Sequence, residues 1–160
     1  MPKFRIETHI GAPQERCFDL TRSIEVRFIS SGERKEIPIE GRLSGLLEPG
    51  DRVTFREKII GIMFHHRYRI DHYDRPITFH EELISGSPYK VRITHRFESD
   101  GIRGTRLIDD VRYRIPGGIV GYFVGLVIPG IFLKRMMRRR AAAIKEIAES
   151  NEWPRFIRDR

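Results

Sequence analysis

Pro116-Gly117-Gly118-Ile119-Val120-Gly121-Tyr122-Phe123-Val124-Gly125-Leu126-Val127-Ile128-Pro129-Gly130-Ile131-Phe132-Leu133 carries no charge, and Lys134-Arg135-Met136-Met137-Arg138-Arg139-Arg140 follows at once. Ile119, Phe123, Leu126, Leu133, Met137, Ala141, Ile144 and Ala148 recur at steps of three, four or seven residues, the helical period. The reading is one long helix, apolar on all sides in its first half and amphipathic in its second. A helix that is apolar all round must be covered all round or must face lipid. Pro129 falls inside it, so a kink or break near Ile128 is expected.

Upstream the pattern changes from the helical period to alternation. Phe4, Ile6, Thr8 and Ile10 alternate with Arg5, Glu7 and His9, a strand with one wet face. Gly11-Ala12-Pro13 ends it. Pro13 suits the first turn of a helix, and Glu15 favours that helix's positive end. Helix is expected to about Ile24, with a second short turn after it, and Ser30–Lys35 reads as a loop. Alternating runs then follow in series. They are Ile37, Ile39, Leu43 and Leu47; Val53, Phe55 and Ile59; Ile62, Phe64, Tyr68 and Ile70; Phe79 and Leu83; Tyr89, Val91, Ile93 and Phe97; and Thr105, Leu107, Val111, Tyr113 and Ile115. Tight turns at Glu48-Pro49-Gly50-Asp51, Asp74-Arg75-Pro76, Gly86-Ser87-Pro88 and Ser99-Asp100-Gly101 separate them, which favours an antiparallel meander. The fold class is therefore α+β: a sheet built first and a long helix laid across it last, closing one side of a cavity.

The chain has 160 residues, 39% hydrophobic and 32% charged, which fits one globular domain able to bury roughly 70% of its unfolded surface. Residues 151–160, with Trp153, Pro154 and Phe156, read either as a cap or as a flexible tail. The lone Cys17 cannot form an internal disulfide, and the N-terminus lacks the unbroken apolar core of a signal peptide, so a reducing, cytoplasmic setting is expected. Net charge is +8, yet the arginines alternate along strands and share their outer parity with Glu82, Glu98 and Asp110. With no zinc-ligand spacing, Gly-rich phosphate loop or basic-aromatic repeat, nucleic acid is not the expected partner. Contact with an anionic membrane surface stays open through Lys134, Arg135, Arg138, Arg139 and Arg140. A transmembrane reading of 116–133 is marginal in length and rich in glycine.

Polar residues on apolar faces mark the candidate site. Glu57 follows Val53 and Phe55, His66 lies between Phe64 and Tyr68, and Glu81 lies between Phe79 and Leu83. His95 lies between Ile93 and Phe97, and Asp109 between Leu107 and Val111. Each alone reads as a satisfied structural group. Together they are expensive in a solid core and make sense around a solvated cavity, where they would orient a ligand's polar end. Phe55, Phe64, Phe79, Tyr113, Phe123 and Leu126 supply the apolar wall, and Tyr68, Tyr89 and Tyr113 add hydroxyls. The histidines and carboxylates lie on separate strands without ligand spacing, so neither a metal nor another cofactor is expected. General acid–base chemistry by His95 or His66 with Glu81 or Asp109 is the enzymatic alternative.

The order of elements resembles the helix-grip fold of the START/Bet v 1-like (SRPBCC) superfamily. Ile10-Gly11-Ala12-Pro13-Gln14-Glu15-Arg16-Cys17-Phe18-Asp19 is similar to its passage from first strand to first helix, and Gly50-Asp51-Arg52-Val53-Thr54-Phe55 to its mid-sheet hairpin. Asp74-Arg75-Pro76, His95-Arg96-Phe97 and Gly104-Thr105-Arg106-Leu107-Ile108-Asp109 follow in the expected order. The resemblance covers nearly the whole chain. It implies a sheet wrapped around the last helix with a cavity between them, and a hydrophobic small-molecule partner of the lipid, quinone or polyketide kind. It also implies that the polyketide cyclases and aromatases are the enzymatic branch to consider. It carries over no catalytic set, and this chain is more arginine-rich than the superfamily pattern.

Overall fold

Alternation along the strands and the helical period at the end of the chain both appear in the architecture. The computed structural model describes residues 2–158, the side chains of 121–129 excepted. Strand β1 (Lys3–Ile10) leads into α1 (Gln14–Thr21) and α2 (Ile24–Ser30). Six strands follow: β2 (Ile37–Gly41), β3 (Arg52–Ile59), β4 (Ile62–Asp74), β5 (Thr78–Ser85), β6 (Lys90–Asp100) and β7 (Gly104–Arg114). The long helix α3 (Gly118–Glu149) comes last. The strands form one antiparallel sheet in the order β1-β7-β6-β5-β4-β3-β2, a meander closed by pairing β1 with the final strand.

The helical pair breaks where side-chain chemistry changes. Pro13 precedes α1 in an extended conformation, and Ser23 caps α2 by accepting from the Val26 amide at 3.4 Å. Phe18 on α1 drops into the sheet, with ring centroids 5.2 Å from Phe79, 5.1 Å from Phe97 and 5.2 Å from Tyr73. The second half of α3 meets this core through Leu133, Met137, Ala141, Ile144 and Ala148, all buried. Its C-terminal end is tied to the end of β1. Glu149 accepts from the Gly11 amide at 2.8 Å, and Lys145 donates to the His9 carbonyl at 2.7 Å.

Several expectations are corrected. Ile39 does not face inward, because a register shift between Pro38 and Glu40 pushes it out of the ladder. Leu43 lies beyond the end of β2 and is exposed, as is Ile62 at the β3–β4 turn. Gly41 explains why β2 stops: at φ 84° its backbone approaches Arg52 so closely that a Cβ would sit 2.0 Å from that carbonyl oxygen. Pro129 does not break α3, which is continuous from Gly118 to Glu149. Ile119 is 78% exposed rather than part of the buried stripe. Phe123 and Leu126 lie outside the described side chains. The C-terminal segment is packed rather than trailing: Trp153–Arg155 forms a 3-10 turn, and the Arg16 guanidinium stacks 4.1 Å from the Trp153 ring.

Candidate functional site

Inward parity holds for the polar residues read from the sequence: Glu57, His66, Glu81, His95 and Asp109 are all buried on the covered face of the sheet. Of the two β4–β5 register shifts, one falls at Ile84 and the other between Asp71 and Asp74 on β4, and the run from Leu83 to His80 between them keeps Glu81 and Leu83 inward. His65 is exposed while His66 is buried, as alternation requires. What the sequence did not reveal is how these groups are held. Salt bridges and hydrogen bonds join them into one chain.

At its inner end, His95 Nδ1 lies 2.6 Å from Asp109 Oδ1 and Nε2 lies 3.4 Å from Glu81 Oε2. Glu81 also takes Arg140 of α3 at 3.0 Å and Arg27 of α2. Burial alone would raise the Glu81 carboxyl, but Arg140 and Arg27, with the His95 hydrogen bond, hold it well below the ordinary carboxylate value. Burial would lower His95, yet its bonds to Asp109 and Glu81 raise it above the usual imidazole value. Two carboxylates facing two ring nitrogens are both satisfied only by an imidazolium, which donates from each. Arg27 passes over Phe55 at 4.4 Å and Tyr68 at 4.1 Å and reaches Glu36 at 3.3 Å. Burial opposes the Arg27 charge, but Glu36 and Glu81 hold its value well above normal.

Arg34, in the 3-10 turn Gly32–Arg34, carries the chain outward, 3.7 Å from Glu36 and 2.5 Å from Glu57. The other oxygen of Glu57 lies 2.5 Å from His66 Nδ1. Burial would raise Glu57, while the His66 hydrogen bond and Arg34 lower it, so it stands as a carboxylate. His66 Nε2 has no hydrogen-bond partner among the described residues. Around that ring are Phe64, stacked at 5.3 Å, and Tyr68 and Tyr89, edge-on at 6.4 and 6.1 Å. Gly86 permits this crowding: at φ 93° its backbone packs against His65 and His66 where any Cβ would clash.

Outside Arg34 lies an open groove of about 350 Å³ bordered by Ile60, Phe132, Met136, Arg135 and Arg139. Arg34 is part of its lining, and its guanidinium stands 5.6 Å from the Phe132 ring. The groove, Arg34, Glu57 and His66 thus form a line from surface to interior. They sit at the sheet end where α3 begins, since Arg114 pairs with Lys90 there and Gly86 packs on His65.

Phe55 and Phe79 are buried. Phe79 lies 4.7 Å from the His95 ring, and Tyr113 is buried beside Phe4 at 6.3 Å. Of the basic residues set aside for a membrane surface, Arg135, Arg138 and Arg139 are exposed and Lys134 is half-buried. Arg140 is a correction. It is 6% exposed, bonded to Glu81 and to the Thr21 carbonyl, and unable to reach a membrane. Three residues from Met137 and four from Ile144, it lies on the helix's buried side, a signal present in the period but overridden by the run of charge. Arg27 carried a similar signal, three residues after buried Ile24. Arg34 and Glu36 lie in and just after the segment read as a loop and had none. Among the described residues no acidic, histidine or cysteine cluster could hold a metal, and no helix is long and apolar enough to cross a membrane.

No protein-family model and no curated protein matches this sequence. Solved structures do match the fold. The protein TTHA0849 from Thermus thermophilus superposes with a TM-score of 0.68 at 17% identity, over 93% of this chain and 100% of the other. The major latex-like protein 151 of Panax ginseng gives 0.68 at 13% identity, over 93% and 98%. The di-domain ARO/CYC StfQ of the steffimycin biosynthetic pathway gives 0.59 at 13% identity, over 95% of this chain and 46% of that one. With the meander closed on β1, two short helices after it and the long helix last, the chain has the helix-grip fold of the START/Bet v 1-like (SRPBCC) superfamily.

Proposed function

We propose that this chain binds a hydrophobic small molecule of the lipid, quinone or polyketide-like kind. The site is the end of the concave sheet face where the β3–β4 hairpin, the Gly32–Arg34 turn and the uncharged start of α3 come together. The observation that carries the reading is the contrast in lining there. Phe64, Tyr68 and Tyr89 surround a buried histidine with a free nitrogen, next to an open groove walled by Phe132 and Met136. On this reading Phe55, Glu57, Phe64, His66, Tyr68 and Tyr113 belong to the site. Glu81, His95 and Asp109 are assigned to the scaffold beneath it, because their polar atoms are taken up by one another, by Arg27 and by Arg140, and Phe79 goes with them through its ring contact with His95. Native mass spectrometry of gently purified protein is expected to show a co-purifying small molecule, and a fluorescent apolar probe is expected to bind saturably at one site. Absence of both overturns the reading.

A second reading, contact with an anionic membrane surface, has its own observation. Ile60 is 89% exposed at the hairpin tip, with Ile62 and Met63 exposed beside it, and Ile60 borders the same groove as Arg135 and Arg139. Apolar tips beside cations suit an interface that is greasy below and negative above. Sedimentation with vesicles containing phosphatidylserine, against vesicles of phosphatidylcholine alone, tests it. Equal partitioning removes it.

A further inference from the structure

We propose that Nε2 of His66 is an acceptor held open for a hydroxyl of the bound molecule. The site then prefers an apolar skeleton bearing a phenol-like donor over the same skeleton without one. The inference rests on the binding reading above and names the chemistry of its ligand.

His66 is 1% exposed, and its Nε2 is one of four buried side-chain nitrogens without a partner among the described residues. The other three are guanidinium Nε atoms of Arg16, Arg69 and Arg140, whose terminal nitrogens are bonded to Ala148, Glu82 and Glu81. Only in His66 is an unpartnered nitrogen the ring's sole remaining polar atom. A buried polar group left open is costly, and a ligand that pairs with it removes that cost.

The neighbours decide which kind of partner fits. Glu57 is bonded to Arg34 through one oxygen and to His66 Nδ1 through the other. A carboxylate accepts only, so Nδ1 carries the proton, and in a neutral ring Nε2 then presents a lone pair. Charge along the buried chain supports the neutral ring. Glu36, Glu57, Glu81 and Asp109 are balanced by Arg27, Arg34, Arg140 and the His95 imidazolium, with nothing left for a second imidazolium to neutralise. Phe64, Tyr68 and Tyr89 surround the ring with aromatic surface, a wall suited to a flat apolar body.

Calorimetric titration with three matched probes tests this: 2-naphthol, 2-methoxynaphthalene and 2-naphthoate. Wild-type protein is expected to bind the naphthol roughly tenfold more tightly than the methyl ether, the worth of one well-placed hydrogen bond to a buried acceptor. His66→Phe is expected to erase that preference, so that naphthol and ether bind the variant equally. In wild-type protein the ¹⁵N resonance of His66 Nε2 is expected to move with naphthol and not with the ether, a readout that survives if the variant fails to fold. Equal affinities for naphthol and ether overturn the acceptor while the binding reading stands. Tighter binding of naphthoate than of naphthol also overturns it, since it would mean a donating imidazolium. If none of the three binds, the binding reading itself falls and takes the anchor with it.

Discussion

His95 and His66 lie on the covered face of the same sheet, each 1% exposed, each with Nδ1 against a carboxylate at 2.6 and 2.5 Å. By composition and burial they are the same feature. Their surroundings differ. His95 is enclosed by groups from several elements: Asp109 on β7, Glu81 on β5, and through Glu81 the arginines of α2 and α3. Both of its ring nitrogens are engaged. His66 stands on β4 at the end where the helix begins its uncharged half, and one nitrogen has no partner among the described residues. A buried histidine–carboxylate pair is thus not a site in itself. On the proposed reading, the capacity to bind lies in the bond that the fold leaves unmade.

The largest expected effect tests the enclosed pair. Glu81→Gln removes the charge that Arg27, Arg140 and His95 all face, leaving buried cations uncompensated, and is expected to cost about 3–5 kcal/mol in urea unfolding. Glu57→Gln is expected to cost clearly less, because Arg34 keeps Glu36 and borders open solvent at the groove. Equal losses would erase the distinction between the two ends.

Arg140 sharpens the same comparison along the helix. Arg140→Met keeps the stem's packing but strips Glu81 and the Thr21 carbonyl of a donor, with an expected loss of about 2–4 kcal/mol by the same measurement. A loss below about 1 kcal/mol would show that the inner cluster does not depend on α3.

A smaller effect concerns pH. His95 is raised above its ordinary value near 6.5, so its contribution to stability is complete below that pH and is lost as pH rises through the raised value. Glu81 and Glu57 are lowered, so theirs is complete above the usual carboxylate range and is lost as pH falls. The difference in unfolding free energy between wild type and His95→Gln is expected to shrink as pH rises past about 6.5, by at most about 1.4 kcal/mol per pH unit. His80 is lowered by burial and by Arg92, which gives the opposite slope, but it is common to both proteins and cancels. A difference that grows with pH would mean that His95 is neutral in the fold.

Most of the sheet was legible because alternation is enforced wherever one face is covered. Glu57, His66, Glu81, His95 and Asp109 were found by parity alone. It failed at Ile39, where a one-residue bulge turns the side chain outward, and at Leu43, where the strand had already ended. Nothing in a local pattern announces either. The partners were harder. Arg27 and Arg140 sit at buried helical positions, so the period pointed at them while their charge pointed away. Arg34 and Glu36 arrive at the site because the chain after α2 folds back toward Glu57, which is tertiary information. The unmade bond on His66 was beyond reach, since an absence has no residue to mark it.

The smallest expected effect on stability falls on the neighbour of Arg140. Arg139 is exposed and borders the groove, and the hairpin tip residue Ile60 lies across the same groove. Neither side chain supports the core, so Arg139→Ala and Ile60→Ser are each expected to change unfolding free energy by less than about 0.5 kcal/mol. The pair Arg139→Ala and Arg140→Met then contrasts two adjacent arginines whose difference is set by helical phase alone. The same two surface variants bear on membrane contact. If the groove's rim docks on anionic lipid, partitioning onto phosphatidylserine vesicles should fall in both. Ile60→Ser would lose apolar insertion at any salt, whereas the effect of Arg139→Ala would fade as salt screens the surface charge. If both variants partition as wild type does, the exposed apolar tip and the nearby arginines are separate features, and the rim serves only as the border of the proposed ligand groove.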